Sequence, residues 1–252
     1  MNNSIFPDTS SETVVWFDLD DTLWDFTYNS EKMLCRVYEH FCLDTLWPTR
    51  GEWLDAYHVV NSALWDKYSQ GKVTSDELRY ERFYRTFVNA GMDSTEADRL
   101  ATPADIYYLT ELGKCEKTVE GAHDVLSSLK VKGYRIGVLS NGFNNIQQAK
   151  LTSGGLTGLI DYVVLSDEYG VNKPHPNLFR CAEQVADTTA SHCVMIGDNI
   201  STDIVGAINA HWPIAVFFNR SGAPLPAEIA EKAKESGTRI VEIGSLYELN
   251  GK

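Results

Sequence analysis

Val14 to Phe17 read VVWF, four apolar residues in a row with no polar alternation. That pattern predicts a strand covered on both faces. It ends abruptly in acids: Asp18, Asp20 and Asp21 fall within four positions. Carboxylates so crowded raise one another's pKa, so the cluster calls for a cation or for a reaction that uses it. The pattern then changes. Residues 27 to about 115 contain no clear β-run, and apolar residues such as Met33, Leu34, Val37, Tyr38 and Phe41 recur at helical spacing. Breaks fall at WPTRG (47–51), SQGKVTSDE (69–77) and AGMDSTEAD (90–98). Thr74 and Glu77 form a capping box. Four helices are predicted in this stretch.

From Val119 onward short apolar runs alternate with helical patterns. Strands are predicted at 134–140, 161–167, 192–198, 213–218 and 239–243, and helices at about 120–131, 144–152, 175–186 and 200–209. Such alternation means a parallel sheet with helices on both faces. Polar residues sit where these strands end: Asp18, Ser140, Asp167 with Lys173 soon after, and Asp198. In an open parallel sheet the carboxyl ends share one edge, and ligands bind there. These groups, distant in sequence, should converge.

Composition narrows the class. With 252 residues and 43% hydrophobic content the chain can build a substantial core. A formal net charge of −13 without a basic run argues against a nucleic-acid polymer or an anionic membrane as partner. Small phosphorylated molecules, which need only a local positive site, stay open. The five cysteines (Cys35, Cys42, Cys115, Cys181, Cys193) show no paired spacing, as reduced thiols in a cytosolic protein would. The opening MNNSIFPDTSSE has neither the basic nor the apolar region of a secretory signal, and no apolar run approaches a membrane span. A cytoplasmic location is expected, with residues 1–12 as a flexible tail. His175 in NKPHP is expected to set a helix start. His40, His58, His123, His192 and His211 lie at no ligand spacing and are read as structural or surface residues.

Four motifs, DLDDT (18–22), SNG (140–142), NKPHP (172–176) and GDNISTD (197–203), stand in chain order at predicted strand ends. Together they resemble the haloacid dehalogenase (HAD) superfamily, from about residue 13 onward. The resemblance implies an α/β fold, a Rossmann-like parallel core (13–26 and 116–252) with an inserted α-helical cap of the C1 type (27–115). It implies a phosphoryl-transfer site: Asp18 as nucleophile, Asp20 as general acid and base, and Lys173 as the positive charge for the nucleophile and the transferring group. Ser140 and the backbone N–H of Asn141 would bind the phosphoryl group together with Lys173. The implied Mg²⁺ ligands are the Asp18 carboxylate, the Asp20 backbone carbonyl and the Asp198 carboxylate, and hard oxygen donors of this kind suit magnesium. Thr22, Asn199 and Asp203 would support, with Asp203 orienting Lys173 or a metal-bound water. Asp21 is expected to stay outside the chemistry.

Within the superfamily, Asp20 argues for a phosphatase, because 2-haloacid dehalogenases do not need a second acid. Thr22 departs from the DxDG of sugar-phosphate mutases, and no cap lysine lies in an apolar run suited to Schiff-base chemistry. The stretch 139–179, with NGF, Q and K after the second motif and SDEYGVNKP before the third, is similar to the house-cleaning pyrimidine 5′-nucleotidase group. That implies a nucleoside monophosphate as the small-metabolite partner. Aromatics at helical spacing are mostly core, but Trp24 and Phe26, which follow the catalytic loop, are expected to contact substrate. A sugar-phosphate or phosphoglycolate phosphatase is the alternative; a dehalogenase or a non-catalytic scaffold ranks lower. A monomer or homodimer is expected.

Overall fold

In a computed structural model, which describes residues 5–6 and 12–250, β1 (Val14–Phe17) leads into a helical unit before any other strand forms. That unit, 26–115, comprises α1 (Phe26–His40), α2 (Arg50–Ser69), α3 (Ser75–Asn89) and α4 (Ser94–Leu112). Capping boxes start two of these helices. Thr49 pairs with Glu52 at α2 and Thr74 with Glu77 at α3, each satisfying backbone N–H groups that the first turn leaves open. The aromatics turn inward: Trp53, Tyr57, Phe83, Phe87 and Tyr108 are buried, with Trp53 and Phe87 stacked at 6.1 Å. A buried ion pair between Arg82 of α3 and Asp105 of α4 lies among them, with Arg79 adding a second contact to Asp105 at 2.9 Å.

The second unit, 1–25 with 116–252, holds the sheet. Its elements run α5 (Ala122–Val131), β2 (Arg135–Ser140), α6 (Asn144–Ser153), β3 (Tyr162–Leu165), α7 (Ser166–Tyr169), α8 (Pro176–Val185), β4 (Cys193–Gly197), α9 (Val205–Asn209), β5 (Ile214–Phe218), α10 (Ala227–Ser236) and β6 (Arg239–Ile243). The six strands lie parallel in the order β3-β2-β1-β4-β5-β6. Strand β1 is central, and all four of its residues are buried, as the unbroken apolar run predicts. Val14 and Trp16 project into a core with Phe179 and Trp212, whose rings meet edge-on at 4.9 Å. The strand order reverses at β1, the position where open α/β sheets bind ligands. Phe17 lies opposite Val138 and Ile196, so the residues just past that register, Asp18, Ser140 and Asp198, emerge on one edge.

Several boundaries differ from the sequence expectation. β3 ends at Leu165, and Asp167 lies in the short helix α7 rather than at a strand tip; its Oδ2 accepts the Asn144 N–H at 3.4 Å, at the start of α6. The helix expected at 200–209 begins as a π-helical turn over Ile200–Ile204 and becomes α-helical only at Val205. Asn199 Oδ1 caps that turn through the N–H groups of Ser201 and Thr202. α10 has no counterpart in the sequence reading. Its buried face is only Ile229 and Ala233, one turn apart, too little apolar periodicity to register. The expected flexible tail 1–12 lies mostly outside the described residues. Within it Phe6 is buried with its ring 5.3 Å from that of Tyr134. All five cysteines are free, and no helix among the described residues is long and apolar enough to cross a membrane.

Candidate active site

The site is assembled from loops that leave β1, β2 and β4 and from the segment before α8, all within the sheet unit. Lys173 is its centre. This lysine is 1% exposed, and its Nζ donates to Asp18 Oδ1 at 2.7 Å, Asp203 Oδ1 at 2.6 Å and the Leu139 carbonyl at 2.7 Å. All three ammonium hydrogens are thereby used. Burial alone would lower its pKa, but Asp18 and then Asp203 outweigh it and hold the ammonium charged. Asn141 fixes the backbone at this point from both sides: its Oδ1 accepts the Lys173 N–H at 2.7 Å and its Nδ2 donates to the Lys173 carbonyl at 3.0 Å. The Asn141 side chain is therefore committed to Lys173, and only its backbone N–H is left for an anion.

Asp203 is fully buried and both its oxygens are engaged, Oδ1 by Lys173 and Oδ2 by the Asn199 N–H at 3.1 Å. Gly197 makes this possible. A Cβ there would stand 2.1 Å from Asp203 Oδ2, so the glycine before Asp198 is required by close approach. Thr22 links the first and last motifs: its hydroxyl donates to Asp198 Oδ1 and accepts the Asp198 N–H, each at 3.1 Å. Asp21 takes a left-handed backbone (φ 56°) in this loop and faces Arg220 at 3.5 Å. His175 caps α8, accepting the Asn177 N–H at 3.2 Å.

Asp18, Asp198 and Asp203 each bring a carboxylate oxygen within 4.8 Å of the others. With Asp203 consumed, Asp18 and Asp198 remain. Each has one oxygen held, by Lys173 and Thr22 respectively, and no hydrogen bond to Asp18 Oδ2 or Asp198 Oδ2 occurs among the described residues. Burial pushes the Asp18 carboxyl up; Lys173 opposes, while Asp203 and Asp20 add to the rise. Asp198 is likewise pushed up by burial, then by Asp18, Asp203 and Asp21, against Thr22. Two hard oxygens left open and two carboxyls short of positive charge fit a divalent cation of the magnesium type.

Two residues that the sequence reading did not single out face the other carboxylate. Asp20 receives Lys150 Nζ on both oxygens, at 2.6 and 2.8 Å, and Gln147 Nε2 on Oδ2 at 3.0 Å. Gln147 Nε2 also donates to Ser140 Oγ at 2.7 Å, and the Gly142 N–H reaches the same oxygen at 3.4 Å. With its lone pairs so occupied, Ser140 keeps its own hydrogen to give to an anion. Trp24, expected to contact substrate, has no exposed surface, and its ring centroid lies 4.9 Å from Lys150 Nζ. In this position it supports that ammonium and presents no open face. Phe26 opens α1 and is partly exposed.

The sequence profile of the haloacid dehalogenase-like hydrolases matches residues 13–211. The chain belongs to that family. Pyrimidine 5′-nucleotidase YjjG of Escherichia coli is 30% identical to this HAD hydrolase over 197 residues, 78% of this chain and 81% of the relative. A glyceraldehyde 3-phosphate phosphatase of Methanothermobacter thermautotrophicus is 28% identical over 93% of this chain and 98% of its own. Among solved structures, the magnesium-bound HAD-hydrolase YfnB of Bacillus subtilis superposes with a TM-score of 0.78 at 25% identity, covering 95% of this chain and 97% of that one.

Proposed function

We propose that this HAD hydrolase is a Mg²⁺-dependent phosphomonoesterase that works through an aspartyl-phosphate on Asp18 and acts on nucleoside 5′-monophosphates. The observation that carries the chemistry is the Asp18 carboxylate at the sheet edge, held by Lys173 through one oxygen with the other unpartnered. In the first half-reaction the Asp18 oxygen beside Lys173 bonds to phosphorus while the ester P–O bond breaks, which leaves the other oxygen to the cation. Asp20 gives its proton to the departing oxygen. In the second, water attacks phosphorus, its proton passes to Asp20, the Asp18–phosphorus bond breaks and inorganic phosphate leaves. A positioned acid and base of this kind contribute about 10²–10⁴-fold. Ser140 Oγ and the Asn141 N–H donate to phosphoryl oxygens, and the fixed Lys173 charge faces the group in transit without needing to reorganise. Bound through Asp18 and Asp198, with the Asp20 carbonyl as the expected third ligand, Mg²⁺ would offset the charge between carboxylate and phosphate.

Asp20 also supports a phosphatase over a dehalogenase, since a departing halide needs no proton. The nucleotide preference rests on the similarity to pyrimidine 5′-nucleotidases across the larger part of the chain. Phe26, which follows the DLDDT loop along the chain, is the aromatic proposed to contact a base. A triose-phosphate substrate is the second reading, favoured by the near full-length match to the Methanothermobacter enzyme. Comparing kcat/KM with Mg²⁺ present for a pyrimidine nucleoside monophosphate, glyceraldehyde 3-phosphate, phosphoglycolate and a hexose phosphate decides between them. The nucleotide should lead, and Phe26→Ala should raise its KM more than that of p-nitrophenyl phosphate. Tenfold better turnover of a sugar or triose phosphate would overturn the nucleotide assignment and leave the phosphatase reading standing.

A further inference from the structure

Helix α6 carries Gln147 and Lys150 one turn apart on one face, and both are buried, 0% and 3% exposed. Lysine is almost never fully buried unless paired. Here the pairing is with Asp20, which accepts two hydrogen bonds from Lys150 and one from Gln147. Three hydrogen bonds from two side chains fix the plane and rotamer of this carboxyl. The Trp24 ring supports the ammonium from 4.9 Å. Asp20 nonetheless stays accessible, its side chain 30% exposed against 4% for Lys150.

Gln147 spans two functions, since the nitrogen that holds Asp20 also holds Ser140 Oγ. This sets the phosphoryl-binding hydroxyl and the acid at a fixed separation. Space for the amide comes from Gly142, where a Cβ would lie 2.3 Å from Gln147 Cδ. The SNG motif thus serves the acid as well as the anion. Its serine binds, its asparagine braces Lys173, and its glycine admits the glutamine.

We infer that Lys150, assisted by Gln147, is the positioning residue for Asp20, holding that carboxyl in the orientation from which it serves the leaving oxygen. The inference rests on the phosphatase reading. During proton donation one Asp20 oxygen carries the hydrogen and the other accepts from Lys150. The O–H bond of Asp20 breaks as the bond to the ester oxygen forms, and Lys150 keeps all three of its protons and meets the new carboxylate. Lys150 touches no substrate in this scheme.

The consequence is a dependence on the leaving group. An alkyl phosphate such as a nucleoside 5′-monophosphate leaves as an alkoxide and needs the proton; p-nitrophenolate does not. With Mg²⁺ saturating, Lys150→Met should lower kcat/KM for the nucleotide by about 10²-fold, the loss that a misplacement of about 1 Å brings. For p-nitrophenyl phosphate the loss should stay within about fivefold, because protonation is not what limits it. Lys150→Arg, which keeps the charge and the donors, should return most of the nucleotide rate. Equal losses on both substrates, or none on either, would overturn the positioning role, the first outcome marking a residue that only supports the fold. Should the methionine variant prove insoluble, Lys150→Gln gives the same comparison with a donor kept and the charge removed. Failure of the unaltered protein to turn over either substrate with Mg²⁺ would instead refute the phosphatase reading, and this inference with it.

Discussion

Replacing Lys173 with methionine tests the electrostatic centre of the site. The substitution preserves most of the volume and removes three hydrogen bonds, to Asp18, Asp203 and the Leu139 carbonyl. Two carboxylates are then left facing each other, one of them fully buried. Breaking a buried pair from one side costs about 3–5 kcal/mol, most of it the penalty of the uncompensated charge. For a chain of this size each kcal/mol moves Tm by about 2–4 °C, so a fall of about 6–20 °C is expected. The cause can be isolated by a second substitution. Asp203→Asn removes the orphaned charge yet keeps an acceptor for the Asn199 N–H, so the double variant should be more stable than Lys173→Met alone. A coupling of about 0.5–3 kcal/mol is typical of groups in such contact. Calorimetry of the four proteins at neutral pH without metal measures it. A Tm for Lys173→Met within about 2 °C of the parent, or strictly additive effects, would refute the reasoning.

The acid pair predicts a pH-dependent response to metal. Burial, and then the neighbouring carboxylates, raise Asp18 and Asp198 in the folded chain above their unfolded values. Their contribution to stability is therefore present at low pH and is lost as pH rises through neutrality. Mg²⁺ competes with those protons, so the rise in Tm on adding it should be small near about pH 5 and largest near about pH 8; an equal rise at both would contradict the assignment. Thr22→Val removes both hydrogen bonds to Asp198 with little change of shape. It should cost about 1–3 kcal/mol and raise the Mg²⁺ concentration for half-maximal activity, and an unchanged requirement would count against the Thr22 link. In the helical unit, Arg82→Met takes one of two arginines from the buried Asp105 and leaves Arg79, so it should destabilise by about 1.5–3 kcal/mol, read as faster hydrogen exchange across α3 and α4. Exchange identical to the parent would contradict it.

The sheet and the motif residues were legible because strand ends show clearly in a parallel α/β sequence. An unbroken apolar run that stops at Asp18, Ser140 or Asp198 announces both the strand and the edge on which its terminal group emerges. For Asp203 the motif left two partners open, Lys173 or a metal-bound water, and only the structure places its carboxylate on Lys173. Lys150 and Gln147 were not singled out, because a polar side chain on the inner face of a short helix looks in sequence like one on the outer face. Their burial follows from Asp20, a tertiary fact. The available signal was their spacing of three after a glycine-containing turn, the Q and K that resemble the nucleotidase group. Trp24 misled for a related reason: its place next to the catalytic loop suggested a substrate contact, whereas the space beside its ring is taken by Lys150. Asp167 appeared to end a strand, but the chain turns helical at Ser166 and gives its carboxylate to the start of α6.

Trapping the covalent intermediate tests the central claim most directly. The protein with a nucleoside monophosphate, or its Asp20→Asn variant, in which breakdown of the intermediate is slowed, with p-nitrophenyl phosphate, whose leaving group needs no proton, is mixed with Mg²⁺, quenched in acid and reduced with borohydride. Reduction converts an aspartyl-phosphate to homoserine, and peptide mass spectrometry locates it. The account predicts homoserine at position 18 and at no other aspartate. Turnover without modification at Asp18, or modification at Asp198 or Asp203 instead, would contradict it.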